Sequence, residues 1–261
     1  MDLNLVGKHA LVCGGSEGIG FAAARELALL GARITLLARR EEALRNAVSA
    51  LPATQGQAHG WIAVDMRQTD ALRERAEALA AQQPVQILIN NTGGPPGGPA
   101  HAAAGHEFET AFAQHLLANH ALLQAVLPGM RAGGWGRVLN VISTSVREPI
   151  ANLGVSNTIR GAVASWAKTL SRELAPHGIT VNNVLPGYTE TARLRQIVAD
   201  RARAGGQDEQ AVTRAMLASV PAGRFAQAAE VAAGIAFLCT PAAAYINGVS
   251  LAIDGGRMNS L

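Results

Sequence analysis

Short apolar runs recur near 8–13, 33–38, 60–64, 85–90, 137–142, 179–184 and 248–253, and longer stretches with helical spacing separate them. Strands alternating with helices are the pattern of βαβ units, whose crossovers make neighbouring strands parallel. The spacing predicts a first helix opened by Gly18 and Gly20 and stopped at Gly31, then helices over about 40–50, 69–82, 106–131, 153–175 and 228–239. The expected fold is α/β, a doubly wound sheet of about seven parallel strands with helices on both faces. No repeat or linker divides the chain, so 1–261 reads as a single domain. Within it, the arginine-rich, partly helical region of about 190–222 is expected to form a lid.

Composition agrees with a packed core. Hydrophobic residues make up 49% and charged residues 16%, against about 25% charged in an average soluble chain, which excludes a disordered protein. The net charge of +3 is spread over scattered arginines with no run of five basic residues, which disfavours a nucleic-acid partner. Cys13 and Cys239 lie far apart in apolar stretches, as buried reduced thiols of a cytoplasmic protein would. The start, Met1 to Val12, is too polar for a signal peptide. Pro241, Asn247, Gly248 and Ser250 break the long uncharged stretch Val231 to Ile253, so no membrane span is expected.

The first strand runs into Cys13-Gly14-Gly15-Ser16-Glu17-Gly18-Ile19-Gly20. Gly14, Gly18 and Gly20 allow a tight turn, close approach of a pyrophosphate to the backbone, and a helix N-terminus aimed at its charge; Ser16, Glu17 and Ile19 complete this cofactor turn. The second strand ends at Ala38-Arg39-Arg40, where an acidic residue would bind the ribose of NAD. Two arginines there favour NADP(H), their other reading being solvated charges at a helix start. Asp65, followed by Met66, either accepts a hydrogen bond from the adenine or caps a helix.

The glycine spacing, Asn90-Asn91-Thr92-Gly93 after strand four, Pro186-Gly187 after strand six and Asp254-Gly255-Gly256 together resemble the short-chain dehydrogenase/reductase family, over roughly Leu5 to Arg257. Leu127-Pro128-Gly129-Met130 through Gly136-Arg137, and Ile179-Thr180-Val181-Asn182, look most like 3-oxoacyl-(acyl-carrier-protein) reductase members. The resemblance implies a Rossmann-type sheet, a homotetramer, and a small-molecule carbonyl or acyl thioester substrate. It also implies cofactor contacts from Asn91, Gly93, Arg160, Pro186, Gly187, Thr189 and Thr191. The family transfers hydride between nicotinamide and a carbonyl or alcohol using a tyrosine as acid/base, an adjacent lysine, a serine and an asparagine.

Here the match departs from the pattern. Ser143 matches the family serine; thirteen residues on stands Ser156 in the tyrosine position, and four further Arg160 in the lysine position. His115 matches the asparagine, with Asn119 one turn later, and is the only titratable group near neutrality among these positions unless it is a polar helix residue bonded to backbone. Of the two tyrosines and two lysines, Lys8, Lys168 and Tyr245 belong elsewhere in the fold, which leaves Tyr188 as the one phenol that could reach the centre. Ser143-Thr144-Ser145 either orients a substrate carbonyl or caps a turn. No nucleophile elbow surrounds Ser143 or Ser156, and His101, His106, His115 and His120 lack metal-ligand spacing. The family's basic docking positions for acyl carrier protein carry Gly134 and His177 here, which weakens that partner. Two functions remain in view: an NADP-dependent reductase with atypical catalytic residues, or a weakly active dinucleotide-binding sensor or partner subunit.

Overall fold

Every second residue of the first strand faces the same side, and this alternation sorts the core into two layers. In the computed structural model, which describes residues 1–260, β1 (His9–Cys13) puts Ala10 and Val12 against one set of helices and Leu11 and Cys13 against the other. The remaining strands are β2 (Arg33–Ala38), β3 (Gly60–Ala63), β4 (Ile87–Asn90), β5 (Gly136–Val141), β6 (Ile179–Pro186) and β7 (Ser250–Ile253). All pairs are parallel and the order is β3-β2-β1-β4-β5-β6-β7, so Val12 lies between Leu36 and Ile89. This is the Rossmann-type sheet expected.

On one face pack α1 (Gly18–Leu29), α2 (Glu41–Ser49) and α9 (Ala228–Cys239). The other carries α3 (Thr69–Gln82), α5 (Ala118–Ala132) and α6 (Gly154–Leu174). Cys13 and Cys239 are free thiols in these layers. Among the described residues no helix is long and apolar enough to cross a membrane. The chain leaves β1 toward β2 on one side and returns through β4 on the other, which opens a crevice beyond the carboxyl ends of β1 and β4.

Two stretches differ from the sequence expectation. The single helix read over 106–131 is α4 (Gly105–Phe112) and α5 joined by a π-helical turn, Ala113–Leu117. Periodic apolar residues carry no mark of this wider turn, which sits where His115 bonds Thr92 beyond β4. Region 190–222, read as irregular and only partly helical, is mostly helix, forming α7 (Ala192–Gly205) and α8 (Glu209–Ala218). Their shared core of Leu194, Val198, Ala202, Val212 and Met216 packs on Tyr188 and Phe225.

Candidate active site

A cleft of about 720 Å³ follows the crevice, walled by the segments after β1, β2, β3, β4, β5 and β6. It gathers Gly14, Ser16, Glu17, Gly18, Ile19, Arg39, Arg40, Asp65, Met66, Asn91, Gly93, Ser143, Ser156, Arg160, Pro186, Gly187, Thr189 and Thr191. Gly20 and His115 stand one contact behind it, outside its lining. Gly14 has φ +58°, and a Cβ there would lie 2.6 Å from Asn91 Nδ2; one on Gly20 would fall 2.2 Å from the Gly14 carbonyl oxygen. Asn91 Nδ2 also donates to the Cys13 carbonyl at 3.3 Å, so the end of β4 is tied to the glycine turn. No side chain caps the N-terminus of α1 and its first turn holds no acid. Its free N–H groups therefore offer an anion site at the cleft.

At the β2 end, Arg39 and Arg40 are both exposed, and Arg40 reaches Glu17 at 3.2 Å. Arg67 pairs with Asp65 at 2.7 Å, adding a third arginine that its position past β3 did not announce. That guanidinium holds the Asp65 carboxyl below the usual carboxylate range. Asp65 does not cap α3, whose N-cap position is Gln68; it takes the Arg67 amide instead.

At the opposite end, Ser156 and Arg160 are one turn apart on α6. Arg160 Nε donates to Ser156 Oγ at 3.3 Å, and Nη1 donates to the carbonyls of Val141 at 3.3 Å and Ile142 at 2.9 Å. Burial, aided by the charge of Arg193, pulls its pKa down to about 10, which still leaves a cation at neutral pH. The Ser143 hydroxyl accepts from Ser145 N at 3.1 Å, as a turn cap does, and the residue also lines the cleft. Tyr188 also lines it, edge-on to Phe225 and with the Arg257 guanidinium 4.6 Å from its ring centre. Lys8 sits over Trp135, Lys168 bonds the Gly248 carbonyl and Tyr245 is fully exposed, so none of the three reaches the cleft. Among the described residues no three His, Cys, Asp or Glu side chains form a metal-sized group.

His115 corrects one expectation. It is buried, its Nδ1 bonds Thr92 Oγ1 at 2.6 Å, and Nε2 has no partner among the described residues. Burial and the nearby Arg160 charge lower its pKa to about 3, so it does not titrate near neutrality. His9, fully buried, is likewise lowered to about 4 by burial and Arg33. Unfolded, both would take up a proton below about 6.5, so the folded state binds fewer protons in the window from there to about 4. Stability should fall with pH through that window by about 1.4 kcal/mol per pH unit for each histidine. Urea midpoints at pH 7 and pH 5 test this: a clear drop is expected, with a smaller one in His115→Asn, and equal midpoints would refute it.

A family model described as Enoyl-(Acyl carrier protein) reductase matches residues 14–258, nearly the whole chain. The chain belongs to the short-chain dehydrogenase/reductase family. It is 34% identical over 257 residues to a 3-oxoacyl-(acyl-carrier-protein) reductase of Vibrio cholerae, covering 97% of this chain and 98% of that one. The L-sorbose reductase of Gluconobacter frateurii, solved with NADPH and L-sorbose, superposes with TM-score 0.92 at 28% identity over 100% of both chains. YwfH, an NADPH-dependent reductase of bacilysin biosynthesis, gives 0.91 at 27% identity, covering 97% of this chain and 99% of its own. This short-chain dehydrogenase/reductase thus shares its fold with proteins that use NADPH.

Proposed function

We propose that the protein is an NADP-dependent oxidoreductase reducing the carbonyl of a small molecule or acyl thioester, with Ser156 and Arg160 in the places the family gives its tyrosine and lysine. The observation that carries this reading is one continuous cleft. The uncapped α1 N-terminus and Arg39 stand at one end, Ser143, Ser156 and Arg160 at the other. The residues fit the cofactor. Gly14 and Gly20 keep the turn free of side chains, the α1 N–H groups suit a diphosphate, and Arg39, which forms no ion pair among the described residues, suits a 2′-phosphate. Asn91, Gly93, Pro186, Gly187, Thr189 and Thr191 would line its remaining length.

Held by the glycine turn, the α1 N-terminus and Arg39, NADPH would supply hydride chemistry to a carbonyl carbon in the cleft. The hydroxyls of Ser143 and Ser156 hold the carbonyl oxygen, and the Arg160 guanidinium stabilises the negative charge growing on it. Arg160 keeps its protons, so the one the product needs passes through the Ser156 hydroxyl from water. A serine is a far weaker acid than a phenol, and turnover of ordinary ketones is slow as a result. Oxidation of NADPH over a panel of β-ketoacyl thioesters, diketones and quinones tests the reading. Tight NADPH binding with no turnover over the panel would favour the sensor or partner subunit, the second reading that Ser156 in place of a phenol supports.

Calorimetric titration should give tighter binding of NADP(H) than of NAD(H). Arg39→Ala should cost about 1–3 kcal/mol of NADPH affinity, the worth of charge-assisted hydrogen bonds to a phosphate. Equal affinities, or no loss in the variant, would defeat the NADP assignment.

The sheet ends at β7, where Val249 and Leu251 are partly exposed and Tyr245 is fully exposed. This apolar edge supports a homotetramer in which the 106–131 and 153–175 segments form one interface and β7 the other. Light scattering at micromolar concentration should give about four chain masses, and a monomer would refute the assembly.

A further inference from the structure

Arg160 on α6 and Arg193 in the first turn of α7 reach the same point of the cleft from different elements. A methyl group on Gly94 would lie 3.3 Å from Arg160 Nη2 and 3.5 Å from Arg193 Nη2. Neither arginine forms an ion pair among the described residues. Arg160 donates to Ser156 and two carbonyls, and Arg193 Nη2 donates to the Pro95 carbonyl at 2.9 Å. The carboxylates of the cleft are engaged elsewhere: Glu17 with Arg40, Asp65 with Arg67, and Glu190 with the Gln227 amide. Two like charges therefore flank one glycine in a concave site with nothing of opposite sign between them. Arg193 also stands against the dipole of α7, whose first turn holds no acid, a placement that helix stability does not favour. Each of these costs is removed by an anion seated at Gly94, where the missing side chain leaves room and two planar forks present N–H donors.

We infer that the Arg160–Arg193 pair is the seat of a carboxylate carried by the substrate, so that the cleft takes oxo acids in preference to neutral ketones. The inference rests on the proposed carbonyl reduction and names the substrate class of that same site. The cofactor phosphates have places of their own at the α1 N-terminus and Arg39, which leaves this pair for the substrate.

The experiment compares 3-oxo and 4-oxo acids with their methyl esters in the NADPH-loaded protein, wild type and Arg193→Gln. The wild type should prefer acid over ester at least tenfold in kcat/KM. Arg193→Gln should bring the ratio near one while the NADPH dissociation constant changes less than twofold, and Arg193→Lys should restore part of the preference. An acid-to-ester ratio near one in the wild type overturns the seat. So does a tenfold loss of NADPH affinity in Arg193→Gln with the ratio unchanged, because the guanidinium would then serve a cofactor phosphate. Where neither acid nor ester is turned over, the reduction reading fails by itself and the seat is read from binding. Succinate should bind the NADP-loaded wild type at least tenfold tighter than it binds Arg193→Gln, and equal binding to the two overturns the inference.

Discussion

The double change Ser156→Tyr with Arg160→Lys raises NADPH-dependent reduction of a neutral diketone by about 10²- to 10⁴-fold, the usual worth of a positioned general acid. Wild-type Ser156 and Arg160 offer a hydroxyl and a permanent cation side by side, 3.3 Å apart, but no group that gives up a proton readily near neutrality. A phenol starts near pKa 10, and an adjacent ammonium draws it lower, so the pair supplies what the growing alkoxide lacks. Ser156 lines the cleft, which gives the phenol a side on which to project. Stopped-flow NADPH oxidation under saturating cofactor reads the effect. A wild type already as fast as its relatives, and slowed by the double change, would mean another proton source. Tyr188→Phe would then be the first variant to make, ahead of His115→Ala, because Tyr188 lines the cleft whereas His115 is buried with its pKa at about 3.

Gly20→Ala should cost at least tenfold in NADPH affinity and about 1–3 kcal/mol in stability, as overpacking of a close-fitted site does. The added Cβ would stand 2.2 Å from the Gly14 carbonyl oxygen and 2.8 Å from Asn91 Nδ2. The first is backbone, and the second is tied to the Cys13 carbonyl, so neither can swing aside as the end of a flexible side chain would. Relief must come from moving α1 or opening the glycine turn, and either displaces the N–H groups offered to the diphosphate. Gly60→Ala is the control, since its Cβ would meet only Thr35 Oγ1 at 3.9 Å. Calorimetry and urea melts check both variants; a Gly20→Ala protein with affinity within twofold and an unchanged midpoint would overturn the argument.

The sheet was legible because its strands are buried on both faces: runs such as Ala10 to Cys13 and Ile87 to Ile89 are apolar throughout and stand out from the helices around them. The glycine turn was legible because Gly14 and Gly20 answer to local geometry. The π-helical turn was not, since His115 takes its place there through Thr92, a residue far away in sequence and close only once β4 is in the sheet. The same holds for Arg193. Among the arginines of 190–222 it looked like its neighbours, and only the folded chain sets it across Gly94 from Arg160. Arg257 gave no signal at all, yet its guanidinium lies over Tyr188 and bonds Thr144.

The strand order also bears on how the chain is made. β1 pairs with β2 soon after both leave the ribosome, but its other edge waits for β4, with Leu11 opposite Leu88. At roughly 5–20 residues per second, that delay is about 4–15 s of translation. During it, one of the most apolar strands shows an open hydrogen-bonding edge to every other nascent chain nearby. Production by slow synthesis or at low temperature, with holdase chaperones present, therefore protects this protein at a stage that no property of the finished molecule reveals.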